Sequence, residues 1–382
     1  MSGVNPYASL AAAAVGGLSP YQPGMPPAAL EREYGIQQAI KLASNENPAG
    51  VSAAVAEAMR AALQDVGRYP DGGGFALRAA LAEHLDIASV QLTLGNGSND
   101  VLVLLAETFL TDKSAAIYDQ YSFVIYRLAV QATGARALVA ASNPADHEQP
   151  LGHDLDAMAA LVDDSTRLVF IANPNNPTGT WVTDKQLRAF LESLPAHVIA
   201  VIDEAYYEYA HGESYPDTLA WLEDFPNLVI VRTFSKAYGL AALRVGYGIS
   251  APGIAELLNR VRQPFNVNSV AQAAAVAALK ERQWVNDCKS VNAAGIVRLK
   301  DGLQALGITS LPSRGNFLLA HIGADAARCY EFLLCHGVIV RPVVNYGLPE
   351  YLRITVGSEA ELDRLLICLS EYGDQNERGQ SA

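Results

Sequence analysis

The residue types best suited to chemistry gather in Val229–Arg244, Val-Ile-Val-Arg-Thr-Phe-Ser-Lys-Ala-Tyr-Gly-Leu-Ala-Ala-Leu-Arg. A β-branched run leads to Ser235-Lys236, and Arg244 follows eight residues after the lysine. A lysine amine condenses with a carbonyl. A hydroxyl and a guanidinium hold a phosphate, the guanidinium through two parallel hydrogen bonds. The set suits a cofactor that carries both a carbonyl and a phosphate. Ser-Lys at a strand end is ordinary on its own, so the reading depends on what the rest of the chain supplies.

Other segments supply complementary groups. Gly97-Ser98-Asn99-Asp100 lies between an apolar strand and an apolar helix. Glycine lets the backbone approach a ligand, and the first amides of the helix can seat an anion. The loop lacks the Gly-Lys-Ser/Thr ending of a Walker motif. In Asn173-Pro-Asn-Asn-Pro-Thr-Gly179 two prolines fix an extended turn, from which Asn176 projects as an amide donor. Asp203-Glu-Ala-Tyr206 follows the apolar run Val198–Ile202. An acid placed there is partly desolvated and needs a cation. A protonated ring nitrogen would serve, with Tyr206 in reach of a phenolic oxygen on the same ring. Tyr121, in a strand-to-helix loop, could stack on a flat ring or simply fill core. Arg353 interrupts the apolar stretch Tyr351–Val356, and Arg341 follows Val338–Val340; such arginines call for anionic partners. Tyr21 and Tyr69 stand in Pro/Gly-rich segments, where either could be a surface aromatic.

These groups can meet only if strand ends converge. Short apolar runs end at Leu94, Tyr118, Ala140, Ala172, Ile202, Arg232 and Ile249, with helices expected over Val101–Phe109, Phe123–Ala132, Leu155–Val162 and Asp184–Leu194. The pattern predicts an α/β fold: a mostly parallel seven-stranded sheet covered on both faces. Ligands bind beyond the carboxyl ends of such strands, where Asn173, Asp203 and Ser235 sit. Residues 1–48, rich in Pro and Gly, read as an extended arm. Residues 49–262 read as a large cofactor-binding domain. Residues 263–382 read as an interdomain helix through about Leu306 and a smaller α+β domain. In the latter, strands are expected at Asn316–Ala320, Val338–Val340 and Leu352–Val356, then a closing helix Glu359–Tyr372 and a frayed polar tail.

A chain of 382 residues suggests about two domains. A net charge of −13 argues against a nucleic-acid partner, though not against a phosphate held by local arginines. Cys288, Cys329, Cys335 and Cys368 show no CxxC spacing, so no metal site is expected; they read as reduced, buried thiols of a cytoplasmic protein. The apolar run Ala8–Val15 lacks the basic flank of a signal peptide. No stretch reaches the roughly 18–20 apolar residues of a membrane span.

In this order, the segments resemble the fold type I pyridoxal phosphate enzymes, the aspartate aminotransferase superfamily, over nearly the whole chain. Within it the series is most similar to the histidinol-phosphate aminotransferases. The likeness is carried by Ser19-Pro-Tyr21, Lys41–Pro48, Arg68-Tyr-Pro-Asp71, Gly95–Ser98, Thr233–Lys236, Leu243–Gly246, Asn316-Phe317 and Leu352–Gly357. The resemblance implies that Lys236 binds the cofactor covalently and shuttles the proton, and that Asp203 keeps the ring nitrogen protonated. Asn176 and Tyr206 would hold the ring oxygen, and Tyr121 would stack on the ring. Gly97, Ser98, Ser235 and Arg244 would take the phosphate, joined by Tyr69 from the second subunit of a homodimer. Tyr21, Asn47, Arg341 and Arg353 would meet the small amino-acid and oxo-acid substrates. The implied reaction converts histidinol phosphate and 2-oxoglutarate to imidazole-acetol phosphate and glutamate. An aromatic or broad-range aminotransferase, a decarboxylase of a phosphorylated amino acid and a non-catalytic regulator of the same fold are the alternatives. Two departures stand out. Asp119-Gln120-Tyr121 replaces the family's Pro-Thr-Tyr, and Gly97-Ser-Asn-Asp100 replaces its commoner Gly-Ser-Asp-Glu.

Overall fold

Strand Ile199–Asp203 lies at the middle of the molecule, and its side chains explain the architecture. Ala200 and Ile202 enter one apolar core while Val201 enters another. Its neighbours Thr166–Ala172 and Leu228–Thr233 divide their side chains between the same two cores. Side chains alternate along a strand, so a run apolar at every position must be covered on both faces. The computed structural model describes residues 5, 7–22, 24–210, 212 and 214–380.

The sheet has seven strands. In spatial order they are Leu92–Gly95, Gly246–Ser250, Leu228–Thr233, Ile199–Asp203, Thr166–Ala172, Ala115–Asp119 and Arg136–Ala140. Gly246–Ser250 pairs antiparallel with both neighbours, and every other pairing is parallel. The mostly parallel seven-stranded sheet expected from the sequence is therefore present. Several helices start where their caps lie. Ser52 accepts from the Val55 amide before Ala53–Ala62, and Asp154 accepts from the Ala157 amide before Leu155–Ala160.

A second, antiparallel sheet joins Arg341–Val343, Leu348–Thr355, Phe317–His321 and Thr309–Ser310. It packs with helices Arg282–Ala305, Ala326–Cys335 and Glu359–Gln380 around a separate core that includes Leu299, Leu333 and Ile354.

Several expectations need correction. The first 48 residues are not only an extended arm, because Pro27–Tyr34 is helical, opened by a proline and closed by Gly35 in the left-handed conformation. Ile40–Lys41 then pairs parallel with Val338–Ile339. The interdomain helix is two helices, Ser269–Lys280 and Arg282–Ala305, and Trp284 belongs to the second. The closing helix continues past Tyr372 to Gln380. Cys335 is exposed, whereas Cys288, Cys329 and Cys368 are buried. Among the described residues no helix is long and apolar enough to cross a membrane. Nor does any group of three or more His, Cys, Asp or Glu gather there as metal ligands would.

Candidate active site

Lys236 lies in the turn after strand Leu228–Thr233, and its Nζ donates to the Ser44 carbonyl at 3.2 Å. The amine is partly buried and lines a cavity of about 140 Å³. Ser98, Asn176, Asp203, Tyr206, Ser235 and Arg244 line the same cavity. Segments up to 146 residues apart in sequence, from Ser98 to Arg244, converge here because their strands end on one edge of the sheet. Burial and then the Arg353 cation push the Lys236 amine down to about 7, so a large fraction is free base near neutral pH.

One end of the cavity is built for an anion. The twelve-residue helix Ser98–Phe109 points its N-terminus at it. Arg244 Nη1 donates to the Ser235 hydroxyl at 3.3 Å, and the Thr233 hydroxyl donates to the same oxygen at 3.0 Å. Gly97 has φ +82°, and a Cβ placed on it would stand 2.3 Å from Arg244 Nη2. Glycine there keeps the guanidinium and the helix start together.

The other end is built for a cation. The Asp203 side chain, 4% exposed, accepts from the Tyr126 hydroxyl at 2.8 Å and from the Ala205 amide at 3.2 Å. Burial pushes this carboxyl up to about 6 against the pull of the Tyr126 hydrogen bond. Burial thus disfavours charge on both Asp203 and Lys236. A ligand with a cationic ring nitrogen at the acid and a phosphate at the helix end relieves the first and fills the anion seat. The donor and acceptor set fits such a group.

Tyr206 stands beside this acid, 3% exposed, and its hydroxyl accepts from Asn45 Nδ2 at 2.8 Å. The Lys236 Nζ lies 5.6 Å from the centre of its ring. Asn176 Oδ1 accepts from Arg353 Nη1, and Arg353 Nη2 donates to the Ala43 carbonyl at 2.6 Å. Arg353 is 7% exposed, and its Nε has no hydrogen-bond partner. It reaches the cavity from the second sheet through Asn176.

Some sequence-predicted residues lie elsewhere. Tyr121 does not line the cavity; it packs towards Leu319, Val343 and Leu348, and Phe123 takes the cavity wall. Asn47 is turned to the backbone, donating to the Ala237 carbonyl at 2.9 Å and accepting from the Ala49 amide at 3.0 Å. The asparagine that reaches Tyr206 is Asn45, held at φ +54°. Tyr69 is 82% exposed and stacks on Phe265 with ring centres 4.8 Å apart. Tyr21, half exposed, lies 5.7 Å from the Arg341 guanidinium, which donates to the Gln22 carbonyl at 2.8 Å. Sequence reasoning missed Tyr126 and Asn45. The signal for Tyr126 was a hydroxyl within an otherwise apolar helix face.

The family model for aminotransferase class I and II matches residues 37–368. This chain belongs to that family. It is 51% identical over 363 residues to histidinol-phosphate aminotransferase 1 of Nitrosococcus oceani, covering 94% of this chain and 96% of the relative. It is 52% identical over 356 residues to histidinol-phosphate aminotransferase of Methylobacillus flagellatus, covering 93% and 95%. Among solved structures, histidinol-phosphate aminotransferase from Sinorhizobium meliloti in complex with pyridoxal-5'-phosphate superposes with TM-score 0.84 at 29% identity, over 95% of this chain and 97% of that one. A mutant aspartate aminotransferase from Thermus thermophilus superposes with TM-score 0.81 at 23% identity, over 94% of this chain and 99% of that one, a likeness of fold.

Proposed function

We propose that this aminotransferase moves the amino group of histidinol phosphate to 2-oxoglutarate with pyridoxal phosphate as cofactor. The observation that carries the reading is that Lys236, Asp203 and the Ser98–Ser235–Arg244 anion seat open on one cavity. The half-identical relatives named for that substrate support its choice. Ser98, Ser235 and Arg244 would hold the phosphate, with Gly97 keeping their approach open. Asp203, ordered by Tyr126, would hold the proton on the ring nitrogen. Asn176 and Tyr206 would hold the ring oxygen, and Phe123 would cover the ring face. Bound pyridoxal phosphate would supply an electron-withdrawing ring and a carbonyl that accepts and returns an amino group.

Lys236 would hold that carbonyl carbon and, as free amine, would carry the proton between the substrate Cα and the cofactor's carbonyl carbon. An amine held near neutrality suits both directions of that transfer. Arg353, with Arg341 and Tyr21 at the outer edge, receives the phosphate of one substrate and the carboxylate of the other in turn. The exposed Tyr69 completes a neighbouring site in a homodimer, and the enzyme works in the cytoplasm.

The test is direct. Purified protein with pyridoxal phosphate, histidinol phosphate and 2-oxoglutarate should form glutamate. Phenylalanine in place of histidinol phosphate should give far less. Glutamate from phenylalanine alone would move the substrate to the aromatic amino acids. Failure to bind pyridoxal phosphate would sink the reading altogether.

A further inference from the structure

Beneath the cavity, a histidine and an aspartate are buried against each other with no part in the chemistry above. Asp119 ends strand Ala115–Asp119, and His153 precedes helix Leu155–Ala160. Their side chains are 0% and 1% exposed. Asp119 Oδ1 accepts from the Tyr121 amide at 2.8 Å and from the Ser142 hydroxyl at 2.6 Å. The Asp119 carbonyl accepts from the Ser122 hydroxyl at 2.6 Å and the Ser122 amide at 3.1 Å. The other carboxylate oxygen, Oδ2, faces His153 Nδ1 at 3.7 Å, and neither atom has a hydrogen-bond partner. Across the ring, His153 Nε2 meets the Ala172 carbonyl at 3.0 Å.

A carbonyl only accepts, so Nε2 carries a hydrogen. A ring with no second proton would turn the bare Nδ1 lone pair towards a bare carboxylate oxygen, both stripped of water, a costly arrangement. The gap holds no bridging water, which would need about 2.8 Å on each side. A hydrogen on Nδ1 instead sets a cationic ring against the carboxylate, a buried ion pair at 3.7 Å.

We infer that Asp119 and His153 face each other as a buried ion pair and act as a positioning pair, tying the Tyr121–Phe123 turn to the end of strand Thr166–Ala172. Phe123 and Ala172 both line the cavity. The pair therefore sets the spacing between two of its walls. The inference rests on the reading that the cavity takes pyridoxal phosphate.

The experiment measures pyridoxal phosphate dissociation constants by absorbance titration, with the melting temperature of each cofactor-free protein alongside. The proteins are wild type, Asp119→Ala, His153→Ala, Asp119→Asn and the double alanine variant. Each single alanine variant should weaken binding about tenfold, and the double no more than either, because the two side chains work as one unit. Asp119→Asn keeps the Oδ1 acceptor and offers an amide hydrogen to Nδ1, so it should bind within about twofold of wild type. Losses that add, an asparagine variant as weak as the alanine one, or a lower melting temperature with unchanged affinity would each overturn the pair. Wild type that binds no pyridoxal phosphate would overturn the reading of the cavity itself, a result distinct from these.

Discussion

The Tyr126 hydroxyl donates to Asp203 Oδ2 at 2.8 Å from a helix packed on the opposite side of the sheet edge from Lys236's turn. Tyr126 is fully buried and stacks on Phe170 with ring centres 4.9 Å apart, so the donor is fixed. The bond favours the ionised carboxylate. Tyr126→Phe leaves that oxygen buried without its donor, a cost of about 1–3 kcal/mol. The Asp203 carboxyl should then rise further above about 6. We expect pyridoxal phosphate to bind about tenfold more weakly in this variant, and the acid limb of the kcat profile to move to higher pH. Titration of cofactor affinity between pH 5.5 and 8 checks both; an unshifted limb would remove Tyr126 from the mechanism.

Lys236→Ala should abolish turnover and the covalent cofactor adduct trapped by borohydride and read by mass spectrometry. It should also stabilise the cofactor-free protein. The folded-state amine lies at about 7, below the ordinary lysine value of 10.5. Between those values the unfolded chain binds more protons, so the wild type gains stability as pH rises through that range. The cost of burying the ammonium is complete below about pH 7. The cofactor-free variant should therefore melt higher than wild type at pH 6, by about 2 °C for a gain of roughly 1 kcal/mol. The difference should shrink by pH 9. A difference independent of pH would mean that the amine is not desolvated.

How much of this was legible in the residues divides along physical lines. The sheet could be read because Val, Ile and Leu fill every position of its central strands, and the polar residues ending those strands had to meet at one edge. The positions of Asp203 and Ser235 follow from that, whereas Asn176 is read from its two-proline turn and the role of Lys236 comes with the resemblance. Phe123 and Asn45 could not be read so, because each depends on how a loop turns. Tyr121 packs towards Leu319 and Val343 instead, and a left-handed backbone at Asn45 turns its side chain to Tyr206. The Asp119–His153 contact joins a strand end to a loop whose approach no local pattern announces.

Gly97 gives a sharper test of the anion seat. Alanine there would be strained at φ +82°, and its Cβ would press into Arg244 Nη2 at 2.3 Å. The strain costs about 1–2 kcal/mol, and the displaced guanidinium loses Ser235. Gly97→Ala should weaken pyridoxal phosphate at least about tenfold while leaving affinity for pyridoxal, which lacks the phosphate, nearly unchanged. Equal losses for both would place the seat elsewhere.

Arg341 and Arg353 are direct register partners on antiparallel strands. Like charges directly opposite each other on a sheet repel. Here the burden falls on Arg353, whose Nε lacks a partner and whose guanidinium burial holds below its usual range. Arg341 is more exposed and leans on Tyr21 and the Gln22 carbonyl. An anion shared by both would relieve the repulsion. Inorganic phosphate should therefore raise the melting temperature of the wild type, and Arg341→Ala should blunt that rise. Arg353→Lys keeps the charge but gives up the fork that spans Asn176 and the Ala43 carbonyl. It should raise KM for histidinol phosphate and for glutamate alike, by about 30-fold for a loss near 2 kcal/mol. Arg341→Ala should raise KM for histidinol phosphate about tenfold and that for glutamate far less, because only the phosphate carries charge enough to need both arginines. Equal effects of Arg341→Ala on the two substrates would assign the phosphate to Arg353 alone.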